Sequence, residues 1–143
     1  MPKRAANARW EGDLAGGNGT MELGGGAWSG PYSAKSRFEE GDGTNPEELI
    51  AAAHAGCFSM AFAHELSEAG HAPESVETTA EVHLNPADGG FAINRIDLTT
   101  RARVPGIDAD EFQRIGEQAK AGCPVSKALG GVGEINLDAT LED

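Results

Sequence analysis

The chain has 143 residues with 11 basic against 23 acidic side chains, a net charge of −12 at pH 7 and a pI near 4.6. So negative a surface repels phosphate backbones and anionic lipid, which disfavours nucleic-acid and membrane-surface roles. No stretch reaches the roughly 18 apolar residues of a spanning helix, and "MPKRAANARW" is followed by no secretory-type apolar run; the expectation is one soluble, cytoplasmic domain over residues 1–143.

The N-terminal third reads as a small antiparallel meander. "NARWEGD" is a strand, "AGGNG" a turn, "TMELGG" the returning strand and "YSAKSRF" a third, ended by the polar "EEGDGT". Next comes a long helix. Asn45 is its N-cap, Pro46 suits the first helical position, and Glu48 falls at the capping-box site. Gly70 supplies the stop and Pro73 forbids continuation. From Leu49 to Phe62 the helix is apolar nearly all round, so it must be covered on several sides, by a second subunit among others.

Two alternating strands follow. "SVETTAEVHLN" places Val76, Thr78, Ala80, Val82 and Leu84 on one face, and "FAINRIDLTTRARV" does the same with Ile96, Leu98, Thr100, Ala102 and Val104. "NPADGG" joins them as a hairpin connection. "PGIDADEFQRIGEQAKAG" is an amphipathic helix capped by Asp108, with Phe112, Ile115 and Ala119 as its buried stripe. After a short helical piece, "PVSKAL", a last strand alternates Ile135, Leu137, Ala139 and Leu141. The order βββ-α-ββ-α-β predicts an α+β fold with an antiparallel sheet and helices on one side.

The chemistry rests on two cysteines, Cys57 in "HAGCFSM" and Cys123 in "AKAGCPVSKAL". In a reducing cytosol they are inert buried thiols, metal ligands or a working redox pair. A mid-helix Cys57 has little help from the helix dipole, whereas Cys123 precedes Pro124 and a new helix, with Lys120 and Lys127 nearby. Local physics therefore ranks Cys123 as the easier thiolate. His54 and Cys57 stand at i and i+3, but the spacing to His64 and Cys123 fits no compact zinc pattern. A redox pair needs a cation to hold a thiolate and polarise a peroxide, and an acceptor to orient that cation. Arg37 and Glu47 are the candidates, because an Arg–carboxylate fork is planar and bidentate.

"RFEEGDGTNPEELIAAAHAGCFSMA", "VPGIDADEF" and "AKAGCPVSKAL" together resemble the OsmC/Ohr family of thiol-dependent hydroperoxide reductases, on the OsmC (osmotically inducible protein C) side. The resemblance runs nearly end to end. Gly56 is a departure, since close relatives often carry Ala, and it could loosen the helix just before the thiol. The resemblance implies that Cys57 is the peroxidatic thiol and Cys123 the resolving one, opposite to the local ranking, with Arg37 and Glu47 as the activating pair.

It further implies an intertwined homodimer with a long central helix. Glu47 and Cys57 are ten residues apart, about 15 Å along one helix, so one subunit's Arg37 and Glu47 are expected to complete the other's site. The substrate would be an alkyl or fatty-acid hydroperoxide among Phe38, Phe58, Met60 and Phe62. The expected reductant is an external dithiol, a lipoyl group on a carrier protein, or thioredoxin in its place. No bound metal, flavin or haem is called for. The rival reading is a non-catalytic, stress-induced dimeric protein whose cysteines are structural, and His54 is expected to pack rather than react.

Overall fold

Asn45 Oδ1 accepts the amide of Glu48 at 2.8 Å, and the helix it caps runs from Pro46 to Glu68. That cap marks the neighbourhood where the chain divides. The computed structural model describes residues 1–143 as two compact units, Met1–Leu49 and Ile50–Asp143.

In the first unit β1 (Ala6–Glu11), β2 (Asn18–Leu23) and β3 (Ser29–Tyr32) form an antiparallel meander. Trp10 and Tyr32 pack ring on ring across it, centroids 5.3 Å apart. The third strand is not "YSAKSRF". It ends at Tyr32, and Ala34–Phe38 is a short helix, α1. The cause is local. Ser33 Oγ accepts the amide of Ser36 while Ser36 Oγ accepts the amide of Ser33, a reciprocal cap that starts a helical turn where side-chain alternation suggested extension.

The central helix, Pro46–Glu68, is α2, and it continues unbroken through Gly56. Its end follows the glycine-stop pattern: Gly70 has φ +90°, and the amide of His71 returns to the carbonyl of Leu66. By length and composition α2 is apolar enough to cross a bilayer, which corrects the sequence expectation; the same properties describe a helix covered by protein. Only 22% of its most apolar window is buried within this one chain.

The second unit adds β4 (Ser75–Ala87), β5 (Gly90–Arg103), α3 (Ala109–Gly122), α4 (Pro124–Ala128), a 3₁₀ turn at Gly130–Val132 and β6 (Ile135–Glu142). β4 and β5 pair antiparallel, and most of "NPADGG" belongs to the strands. Only Asp88 and Gly89 turn, both with positive φ, as a two-residue hairpin of this twist requires. β6 pairs with β5 in parallel, so the sheet β4-β5-β6 is mixed rather than antiparallel. The element order becomes βββ-αα-ββ-αα-β, and the α+β class stands.

The expected faces are correct. Ile96, Leu98 and Ala102 of β5 are buried with Phe58, Phe62 and Leu66 of α2 and Phe112, Ile115 and Ala119 of α3. The rings of Phe58, Phe62 and Phe112 stack in sequence at 5.5 and 5.2 Å. A ladder of hydroxyls, Ser59 to Thr78 to Thr100, ties α2 to the sheet at 2.7 and 2.9 Å, so the buried Thr100 is not left unpaired.

Candidate active site

Arg37 and Glu47 are held by a latch built from short-range polar contacts. Ser36 Oγ donates to the carbonyl of Thr44 at 2.7 Å, and Asn45 Nδ2 donates to the carbonyl of Ser36 at 3.0 Å. The Thr44 amide donates to the carbonyl of Pro31. These fix α1 against the first turn of α2. Arg37 Nε and Nη2 then fork onto Glu47, at 2.9 and 2.8 Å to Oε1 and 3.3 Å to Oε2. Glu47 is buried while Arg37 keeps a third of its side chain exposed, and its guanidinium lies over the Phe38 ring. A fork in which Nε and Nη2 are spoken for has one remaining end, Nη1, to offer a ligand.

Cys57 of α2 and Cys123, between α3 and α4, are brought together. Their sulfurs lie 3.1 Å apart as free thiols. Sixty-six residues of chain separate them, and the crossing of α2 with the α3–α4 joint closes the gap. Their environments differ. Cys123 is wholly buried; Cys57 is part exposed. Burial pushes the Cys57 thiol up, and sharing its hydrogen with Cys123 pushes it further, against a smaller pull from the Val125 amide. Burial also opposes ionisation of Cys123, but hydrogen bonds from Cys57, from the Ser126 amide and hydroxyl and from the Val125 amide outweigh it, so its thiol falls below the ordinary range. Within this unit Cys123 is the thiol pulled down, through these hydrogen bonds rather than through Lys120 or Lys127, on which the ranking by helix position leaned.

A groove of about 570 Å³ opens at Cys57, walled by Met60 and Ala61 of α2, Ala119 of α3 and Pro124, with His64 and Glu65 farther along. Phe58 and Phe62, expected to surround the substrate, are instead fully buried in the core, whereas Met60 is 76% exposed. Phe38 lines a second recess of about 420 Å³ with Trp10, Leu14, Tyr32 and Arg37. His54 packs, with no exposed surface, and its Nε2 meets Ser126 Oγ at 2.7 Å. Burial holds its pKa below the ordinary histidine value. Sequence reasoning missed Ser126. The signal was present only in part, since a serine three residues after the cysteine that precedes Pro124 falls in the first turn of a new helix, but nothing local points it at His54.

The model of the family described as OsmC-like protein matches residues 39–138, which takes in both cysteines and Glu47. The chain belongs to the OsmC/Ohr family. It is 51% identical over 140 residues to the peroxiredoxin OsmC of Escherichia coli strain K12, covering 97% of this chain and 96% of that one. Identity to the organic hydroperoxide resistance protein of Xanthomonas axonopodis pv. citri is 38% over 102 residues, 71% of this chain and 67% of the relative. Among solved structures, the organic hydroperoxide resistance protein OhrB of Bacillus subtilis superposes with a TM-score of 0.69 at 27% identity, covering 96% and 98% of the two chains. The OsmC/Ohr-like α+β fold follows from that superposition.

Proposed function

We propose that the protein is a cysteine-based peroxidase reducing organic hydroperoxides, alkyl or fatty-acid, to alcohols. The observation that carries this is the 3.1 Å approach of Cys57 and Cys123 in a chain of the OsmC/Ohr family. Cys57 is the peroxidatic thiol, because it alone of the two reaches the groove. Its thiolate attacks the terminal peroxide oxygen; an S–O bond forms, the O–O bond breaks, and the alkoxide leaves as alcohol on taking up a proton. Cys123 then attacks the sulfenic sulfur. An S–S bond forms, hydroxide leaves and is protonated to water. An external dithiol, a dihydrolipoyl group on a carrier protein, reopens the disulfide by exchange.

Within its own unit the Cys57 thiol is pushed up, so its activation calls for a cation. In our reading Arg37, oriented by Glu47, supplies it across an intertwined homodimer, with residues 1–143 of each chain acting as one domain. The exposed face of α2, Ala52, Ala53, Gly56 and Met60, supports a second copy as its cover. The apolar walls beside Cys57 and around Arg37 suit an alkyl chain better than bulk hydrogen peroxide. A cytoplasmic setting fits, since thiol pools there keep such a pair turning over.

The test is a thiol count. Treatment with cumene hydroperoxide is expected to consume both thiols per chain as an intramolecular disulfide. Cys57→Ser abolishes turnover, whereas Cys123→Ser consumes one equivalent and then stalls by over-oxidation. Wild-type turnover in both variants defeats the reading.

A further inference from the structure

The groove at Cys57 is apolar along its length and polar at one end. Cys57, Ala61, His64 and Glu65 stand at i, i+4, i+7 and i+8 on α2, so they share one face of the helix. His64 lies roughly 10 Å from Cys57 along the axis. Met60 and Ala61 of α2, Ala119 of α3 and Pro124 wall the interval. The polar end sets a donor beside an acceptor. His64 is exposed and has no hydrogen-bond or ion-pair partner in the chain, and an imidazole presents an N–H in either charge state. Glu65 is half-buried, and Gln118 Nε2 donates to its Oε2 at 2.7 Å, which holds the carboxylate in place and leaves Oε1 to accept. A donor next to an acceptor matches an amide, which offers a C=O and an N–H, whereas the charge of Glu65 repels a free carboxylate.

Access to sulfur tells which co-substrate carries that amide. Cys123 has no exposed surface and Cys57 opens on the groove, so a Cys57–Cys123 disulfide is reached by an external thiol only at the Cys57 sulfur. In a ping-pong cycle the hydroperoxide has already reacted when that disulfide forms, and the groove is free for the reductant. We propose that His64 and Glu65 select the reductant: the groove takes a dithiol on a short aliphatic chain ending in an amide, with the chain along α2 and the amide paired to His64 and Glu65. The inference rests on the disulfide cycle proposed above. A dihydrolipoyl arm joined to its carrier has this form, and the free acid ends instead in a carboxylate. One thiolate of the dithiol attacks the Cys57 sulfur; an S–S bond forms to the reductant, the Cys57–Cys123 bond breaks, and its electron pair leaves on Cys123. The second thiol, on losing its proton, attacks the reductant sulfur of the mixed disulfide. A cyclic disulfide departs, Cys57 is released as thiolate, and the two protons given up by the dithiol pass through solvent to the cysteines.

The experiment starts from full-length protein whose two cysteines have been joined with diamide, so it needs no hydroperoxide. Reduction is quenched with a maleimide and read by mass. The second-order rate constant for dihydrolipoamide is expected to exceed that for dihydrolipoate about fivefold, the worth of one neutral hydrogen bond. In His64→Ala the rate with dihydrolipoamide, taken relative to dithiothreitol, which has no amide, falls by about the same factor. His64→Gln, which keeps a donor, retains the preference, and Glu65→Gln speeds dihydrolipoate and narrows the gap. Equal rates for amide and acid in the wild type, or a preference for the acid, overturn the proposal. So does a ratio of dihydrolipoamide to dithiothreitol that stays unmoved in His64→Ala. The cycle beneath it is tested apart: thiols that cumene hydroperoxide fails to oxidise defeat the peroxidase reading, while the rates on the diamide-made disulfide still decide whether His64 and Glu65 select the amide.

Discussion

Acidity in this chain is set residue by residue through hydrogen bonds that burial alone would not predict. The two thiols lie in contact, yet their acidities move apart because Cys123 is favoured by the hydrogen bond with Cys57 and then by those of α4, while Cys57 mostly loses water. Asp97 shows the same logic on the open face of the sheet. Its carboxylate accepts from Arg95 Nε at 3.0 Å and Asn136 Nδ2 at 2.9 Å and meets His83 Nε2 at 3.0 Å, so one residue of β5 fastens β4 and β6. The Arg95 hydrogen bond, then that of Asn136, lowers its pKa from 3.8 to about 2. A depressed carboxylate contributes stability that is complete above its unfolded value and lost as pH falls through the folded one. The wild type is therefore expected to lose more of its urea midpoint between pH 4 and pH 2 than Asp97→Asn does. Equal losses in the two proteins count against these bonds as a source of acid stability. The two cysteines stand out in the sequence because there are only two, whereas Arg37 and Glu47, among seven arginines and fifteen glutamates, were singled out through the family resemblance. Ser126 was not, since a serine's role depends on which of many acceptors its hydroxyl finds.

At the scale of elements, legibility follows how local the determining interaction is. The start and stop of α2 are written in Asn45, Pro46 and Gly70, all within a turn of the ends they define, and the structure keeps both. The alternation along β4 and β5 is equally local and held. α1 was misread because Ser33 and Ser36 cap each other, an arrangement that competes with strand alternation over only five residues. The parallel pairing of β6 could not be read at all, because alternation fixes a strand's face and not its direction. Gly43 tests the latch that these elements make. Its φ is +108°, and a Cβ there would stand 2.5 Å from the carbonyl oxygen of Pro31, the acceptor of the Thr44 amide. Gly43→Ala is expected to cost roughly 1–2 kcal/mol in chemical unfolding and to depress peroxide turnover by more than that loss explains, since the Arg37–Glu47 fork is displaced. A variant as stable and as active as the wild type removes the latch from the account.

For the whole molecule the decisive matter is which chain activates which thiol. Arg37 and Glu47 belong to one compact unit and the sulfur pair to the other, and Cys57 finds no cation within its own unit to counter the loss of water. If each site joins the Arg37 of one chain to the Cys57 of its partner, two inactive proteins can repair each other. Cys57→Ser chains keep Arg37, and Arg37→Ala chains keep Cys57. Refolded together in equal amounts, about half of the dimers contain one chain of each kind, and each of these rebuilds one site of two. Activity is then expected to recover to about a quarter of the wild-type rate for the same protein mass. A site built within one chain gives no recovery, because no chain in the mixture carries both residues. Sizing chromatography of the mixture separates that outcome from failed exchange, provided one of the two chains carries a mass tag so that mixed dimers are resolved. Mixed dimers without activity place Arg37 and Cys57 of one chain in the same site, whereas recovered activity brings Arg37 of one chain to Cys57 of the other.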